Sequence, residues 1–182
     1  MAKSPSQRRH LLLERMANLE SQGVDCSQCR GTCCTFEANS MQATPQEALD
    51  IYFYLRDNQL FHKDLIAKLL ETIRDYRLDA PAPSDGRRNF SRRTYTCPFL
   101  TRAPLACSIP KEVKPYGCLG FNASNKGEKV GTSCSSDQKL LQDHDASLSK
   151  ETLEDFWWDK LPMPVALLEV AKAHGAPLPE TT

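Results

Sequence analysis

Four thiols fall within nine positions in Cys26-Ser27-Gln28-Cys29-Arg30-Gly31-Thr32-Cys33-Cys34, and thiolates are ligands for soft and borderline metals as well as nucleophiles. The two-residue gap between Cys26 and Cys29 lets both sulfurs turn toward one ion, a spacing used in zinc knuckles and in many iron–sulfur sites. Gly31 lets the backbone bend back so that Cys33 can join them. Cys33 and Cys34 are harder to seat on one tetrahedral ion, because neighbouring side chains diverge in helical and extended backbone alike. They are expected to face two irons or two sites. Cys97, Cys107, Cys118 and Cys134 bring the total to eight, enough for two four-thiolate sites or for one site with cysteines to spare.

Compartment decides how these thiols should be read. The start of the chain, Met1 to His10, is basic, but the apolar run after it is only Leu11 to Leu13 before Glu14 and Arg15, too short for the core of a signal peptide. No apolar stretch approaches the about 20 residues of a membrane-spanning helix. The expected location is therefore the cytoplasm, where thiols stay reduced, and metal ligation by zinc or iron leads over disulfides. Buried structural thiols and a redox dithiol are the competing readings. Cys97-Pro98 leans toward iron, since proline after a cluster ligand recurs in bacterial ferredoxin motifs, although a turn explains it equally well.

Other chemistry is thin. Lys plus Arg equals Asp plus Glu at 23 each, so no global field draws the chain to nucleic acid or anionic lipid. Arg87, Arg88, Arg92 and Arg93 alternate with Phe90 and Tyr95, a patch that reads first as a solvated loop, next as a screen for thiolate charge, and last as a nucleic-acid contact. His10, His62, His144 and His174 lie far from the cysteines in sequence and read as surface residues. There is no phosphate-binding glycine loop, no nucleophile elbow and no histidine–glutamate protease motif, so whether the chain is an enzyme stays open.

The elements that must carry the thiols are mostly helical. Leu12, Met16 and Leu19 share a face of a helix over residues 5–22 that Gly23 stops. Thr44-Pro45-Gln46-Glu47 is a capping box with proline at the first helical position, opening a helix to about Arg56. Leu65, Ile66, Leu69, Leu70 and Ile73 repeat at helical spacing, and that helix ends before Ala80-Pro81. Residues 90–99 and 106–109 suggest a hairpin around Ala103-Pro104, with a cysteine on each strand. Residues 110–136, rich in glycine, proline, serine and asparagine, read as loop that a metal would organise. Two further helices are expected, one bearing Leu153, Phe156 and Trp157 and one from about Pro164 to His174, stopped by Gly175. At 182 residues the chain suits one domain. It should be mainly α, with about five helices, a short hairpin and a cysteine-rich region over residues 26–134.

Cys26-x-x-Cys29-x-x-x-Cys33-Cys34, then Cys97-Pro98-Phe99-Leu100, Cys107-Ser108-Ile109-Pro110 and Lys114-Pro115-Tyr116-Gly117-Cys118, resemble the YkgJ-type cysteine-cluster family of zinc- or iron-chelating proteins. The resemblance implies that Cys26, Cys29, Cys33, Cys34, Cys97, Cys107 and Cys118 are metal ligands, with Cys134 a further candidate, and that the chain is bacterial and intracellular. It is distantly similar to the cluster region of flagellin lysine N-methylases, longer chains in which such a cluster accompanies methyl transfer. Lys114 and Leu119 stand where the family pattern has arginines, and neither offers the planar fork with which arginine grips an anion. The expected function is thiolate binding of zinc or iron, with an iron–sulfur enzyme or electron carrier as the alternative. The expected partners are the metal ion and another protein, not nucleic acid or membrane.

Overall fold

A computed structural model describes residues 5–21, 32–80, 93–102, 105–119, 121–123, 134–136, 158 and 160–179. The fold is mainly α. Its described helices are α1 (Pro5–Ser21), α2 (Pro45–Asp57), α3 (Lys63–Tyr76), α4 (Tyr116–Leu119) and α5 (Met163–Ala173). Three antiparallel strand pairs accompany them: β1 (Gln42–Ala43) with β6 (Leu161–Pro162), β2 (Leu100–Arg102) with β3 (Leu105–Cys107), and β4 (Phe121–Ala123) with β5 (Cys134–Ser136).

Local chemistry explains the helix ends. Thr44 accepts the Glu47 N–H through its side chain while the Glu47 carboxylate accepts the Thr44 N–H, and Pro45 needs no partner for a donor it lacks. α3 stops at Arg77, whose left-handed backbone (φ 51°) lets the Leu78 N–H reach the Ile73 carbonyl at 2.9 Å. Gly175 supplies the same turn after α5 with φ 71°, a region that glycine enters without steric cost.

The main core forms where α5 packs on α2 and α3. Ile51, Leu55, Leu69, Met163, Leu167 and Val170 are buried there. β1 pairs with β6 so that Gln42 faces Pro162 and Ala43 faces Leu161, which fixes the entrance to α2 beside the entrance to α5. A second, smaller apolar cluster joins α1 to α4 through Leu12, Met16, Tyr116 and Leu119.

Two expectations need correction. The hairpin strands are Leu100–Arg102 and Leu105–Cys107, not 90–99 and 106–109, so Cys97 lies ahead of the ladder rather than in it. The pairing moved because Pro98 has no N–H to give a ladder. The stretch 110–136 is not all loop: it contains a 3-10 turn at Lys111–Val113, then α4, β4 and β5. These are too short for hydrophobic periodicity to register. The β1–β6 pair also went unread, for the same reason. The expected helix around Leu153 to Trp157 lies outside the described residues, as does the side chain of Leu19.

Leu167 is fully buried between α2 and α3, whereas Leu60 is 39% exposed. Leu167→Ala is expected to destabilise the protein by about 2–5 kcal/mol in urea unfolding, and Leu60→Ala by no more than about 0.5 kcal/mol.

Candidate functional site

The site is built on a hydrogen-bonded clamp between two segments distant in sequence. Cys33 and Cys34 lie in the 3-10 turn Thr32–Cys34 with their sulfurs 3.9 Å apart. The Cys97 N–H donates to the Cys34 carbonyl at 2.8 Å, and the Tyr95 N–H to the Asn39 carbonyl at 2.9 Å. The buried Asn39 amide returns a bond to the Tyr95 carbonyl at 2.9 Å and accepts the Met41 N–H at 3.1 Å. Thr96 Oγ accepts the Phe36 N–H at 3.3 Å and the Tyr76 hydroxyl at 3.0 Å. These bonds hold Cys34 against Cys97.

Cys97-Pro98-Phe99-Leu100 then turns into the hairpin, with the Leu100 N–H donating to the Cys97 carbonyl at 3.1 Å and the Phe99 N–H beside the Cys97 sulfur. Pro98 has no N–H to offer, so the Phe99 amide serves the sulfur, and such a donor favours a thiolate. Antiparallel register sets Leu100 opposite Cys107, and Ser108 donates to the Phe99 carbonyl at 2.9 Å, bringing the third thiol segment alongside.

Cys118 comes from α4, whose first turn closes on the Pro115 carbonyl through the Cys118 N–H at 2.9 Å and the Leu119 N–H at 3.1 Å. A four-residue helix cannot hold its own position. Two contacts locate it: Glu47 Oε1 accepts the Tyr116 N–H at 2.8 Å, and the end of the Met41 side chain lies over Gly117. A β-carbon at Gly117 would come 2.6 Å from the Met41 sulfur, so a larger residue there would have to displace the end of that side chain.

Tyr95 sits behind the thiols. Its hydroxyl donates to the Met41 carbonyl at 2.5 Å and accepts the Met163 N–H at 3.3 Å. It thereby joins the segment carrying Cys97 to the start of β1 and of α5. Burial, then the neighbouring Cys97 and Cys118, hold its phenol well above the ordinary tyrosine range.

The electrostatics are those of several acids crowded into a dry place. Burial pushes the Cys97 thiol up to about 12, the Phe99 N–H opposes this, and Cys107 adds to it. Cys118 is also raised, first by burial of its sulfur and then by Cys97, Cys107 and Cys33, with the buried Lys114 opposing. As a residue Cys118 is only half-buried; the sulfur lies deeper than the backbone that carries it. Like charges in low dielectric cannot all form unaided, so without a cation these groups stay protonated. A metal ion in their midst would displace the protons and remove the mutual repulsion.

Of the residues expected to bind metal, Cys33, Cys34, Cys97, Cys107 and Cys118 come into one neighbourhood as thiols rather than disulfides. Cys26 and Cys29 lie outside the described residues, and Cys134 is described only as backbone, paired with Ala123. Among the described residues, no three His, Cys, Asp or Glu side chains already stand in ligand geometry around one point. The donor set fits a thiophilic metal in kind. His10 faces Glu14 on the surface of α1, and His174 stacks on Tyr52 at the end of α5. Asn39, Tyr95 and the outward reach of Glu47 were not anticipated. Nothing in their local sequence marks a bond to a segment about 60 residues away.

No protein-family model matches the chain, and neither does any curated protein or solved structure. Its chemistry rests on the residues themselves.

Tyr95→Phe keeps the ring and removes the hydroxyl that serves Met41 and Met163. It is expected to cost about 0.5–1.5 kcal/mol in equilibrium unfolding, the range for a lost hydrogen bond, because the Met163 N–H and the Met41 carbonyl keep a 3.3 Å bond to each other. Tyr54→Phe, on the partly exposed face of α2, should cost no more than about 0.5 kcal/mol.

Proposed function

We propose that this chain is a metal-binding cysteine-cluster protein holding zinc or iron through Cys33, Cys34, Cys97, Cys107 and Cys118, with Cys26 and Cys29 completing the donor set. The observation that carries this reading is the convergence of five reduced thiols from separate stretches of chain. The Phe99 N–H beside the Cys97 sulfur and a buried lysine beside Cys118 support it, since both stabilise sulfur in the charged form that a metal needs. The order of the cysteine motifs, which resembles the YkgJ-type family, supports it from the sequence side. No described helix is long and apolar enough to cross a membrane, and reduced thiols suit a cytoplasmic setting.

A second reading is an iron–sulfur centre in an electron carrier or enzyme, such as part of a protein methyl-transfer system. The Cys97-Pro98 pair favours it from the sequence side, whereas the 3.9 Å between the Cys33 and Cys34 sulfurs is close to the about 3.8 Å edge of a thiolate tetrahedron and suits a single ion equally.

Elemental analysis and a visible spectrum of anaerobically purified protein separate the two. Brown protein containing iron and acid-labile sulfide supports the cluster, and colourless protein with stoichiometric zinc supports the single-ion site. Thiolate-bound structural zinc brings about 10–16 kcal/mol of apparent binding energy, as large as the about 5–15 kcal/mol stability of a whole domain. Removing the metal with a chelator, or Cys97→Ser or Cys118→Ser, should therefore lower Tm and the bound-metal content together. A metal-free protein with an unchanged Tm would refute the proposal.

A further inference from the structure

Glu47 is a buried carboxylate, 4% exposed, and the cap of α2 uses only half of it. Oε2 accepts the Thr44 N–H at 2.9 Å and closes the capping box. Oε1 turns outward from α2 and accepts the Tyr116 N–H at 2.8 Å, across 69 positions of sequence. A helix cap needs the first bond and not the second. The second bond falls on the leading residue of the one turn that carries Cys118, between Pro115, whose carbonyl that turn closes on, and Gly117, which rests against Met41.

We propose that Glu47 is a positioning residue for the thiol centre, its Oε1 fixing the Tyr116–Leu119 turn on the rigid start of α2 so that the Cys118 sulfur is held toward Cys97 and Cys107. The inference rests on the metal reading above and extends it to a residue that would not itself touch the metal. The geometry has the form of an outer-shell support. A charged acceptor forms a strong, short bond to a backbone amide, the anchor is a long helix packed in the main core, and the anchored piece is too short to orient itself. Loss of such a partner typically weakens metal binding by about 10- to 100-fold.

Two substitutions separate positioning from plain stability. Glu47→Gln keeps the shape but turns an N–H2 group toward one of the two amides that the carboxylate serves. Thr44→Ala removes the other half of the same capping box, weakening α2 without touching the bond to Tyr116. Full-length protein, E47Q and T44A are titrated with cobalt(II) as the probe, reading the sulfur-to-cobalt charge-transfer absorption, the d–d band pattern and Tm. The expected result is a 10- to 100-fold weaker affinity with an altered d–d pattern for E47Q, against wild-type affinity and spectrum for T44A despite its lower Tm. Equal binding by E47Q and wild type would overturn the inference and leave the metal reading standing, as would an equal loss in T44A. A wild-type chain that gives no cobalt–thiolate absorption would overturn the metal reading and the inference with it. Should E47Q fail to fold, hydrogen exchange on cobalt-loaded wild type decides: the Tyr116 amide should be among the slowest in residues 111–119, and fast exchange there would overturn the inference.

Discussion

The clamp between residues 34–41 and 93–97 is the constraint on which the rest of the molecule hangs. Two of its bonds join backbone amides to backbone carbonyls, and two more use the side chains of Asn39 and Thr96. Its two halves are separated in sequence by α2 and α3, so forming it encloses both helices in one loop. Closing a loop of that length carries an entropic cost that grows only slowly with the number of residues enclosed. The buried bonds of the clamp, together with the helical core packed against it, offset that cost. Because the Tyr95 hydroxyl reaches both Met41 and Met163, the segment bearing Cys97 is tied directly to the frame of β1 and α5.

The thiols lie at the seam between two apolar clusters of unequal size. Cys97 belongs to the larger one, and Cys34 and Cys107 pack on its margin. Cys118 belongs to the turn between Tyr116 and Leu119, which are half of the smaller cluster. Burial of four side chains is a modest source of stability beside the main core. The seam therefore depends on polar contacts, chiefly the Glu47 carboxylate and the buried Lys114, more than the centre of the molecule does. An ion shared by sulfurs from both sides would act as a cross-link over its weakest junction.

Much of this architecture can be read in the sequence where the signal is local and repeated. The capping box at Thr44 to Glu47 announces α2, the spacing of Leu65, Ile66 and Leu69 announces α3, and Gly175 marks the end of α5. The cysteine spacings pick out candidate ligands, and five of them gather. What the sequence does not display is how they gather. β1 and β6 are two residues each, too short to alternate, and α4 has no full period of its own. Asn39 looks like any turn residue, and Glu47 is fully accounted for by its capping box until the position of Tyr116 is known. Tertiary bonds of this kind depend on geometry that neither partner encodes alone. The first hairpin strand is Leu100–Arg102 and not 90–99 for a related reason: β-branched and aromatic residues at 90–99 suggest a strand, but Pro98 breaks the ladder they would need.

The register of the β2–β3 hairpin has a consequence for how such a chain can vary. Leu100 faces Cys107 and Arg102 faces Leu105, with only Ala103 and Pro104 between the strands in sequence. Side chains alternate faces along a strand, so a slip of one residue sends Cys107 to the opposite side from its present neighbours. Surface connections ordinarily absorb insertions and deletions freely. This one behaves instead as a ruler, in which the number of residues, more than their identity, decides whether the third thiol segment meets the others.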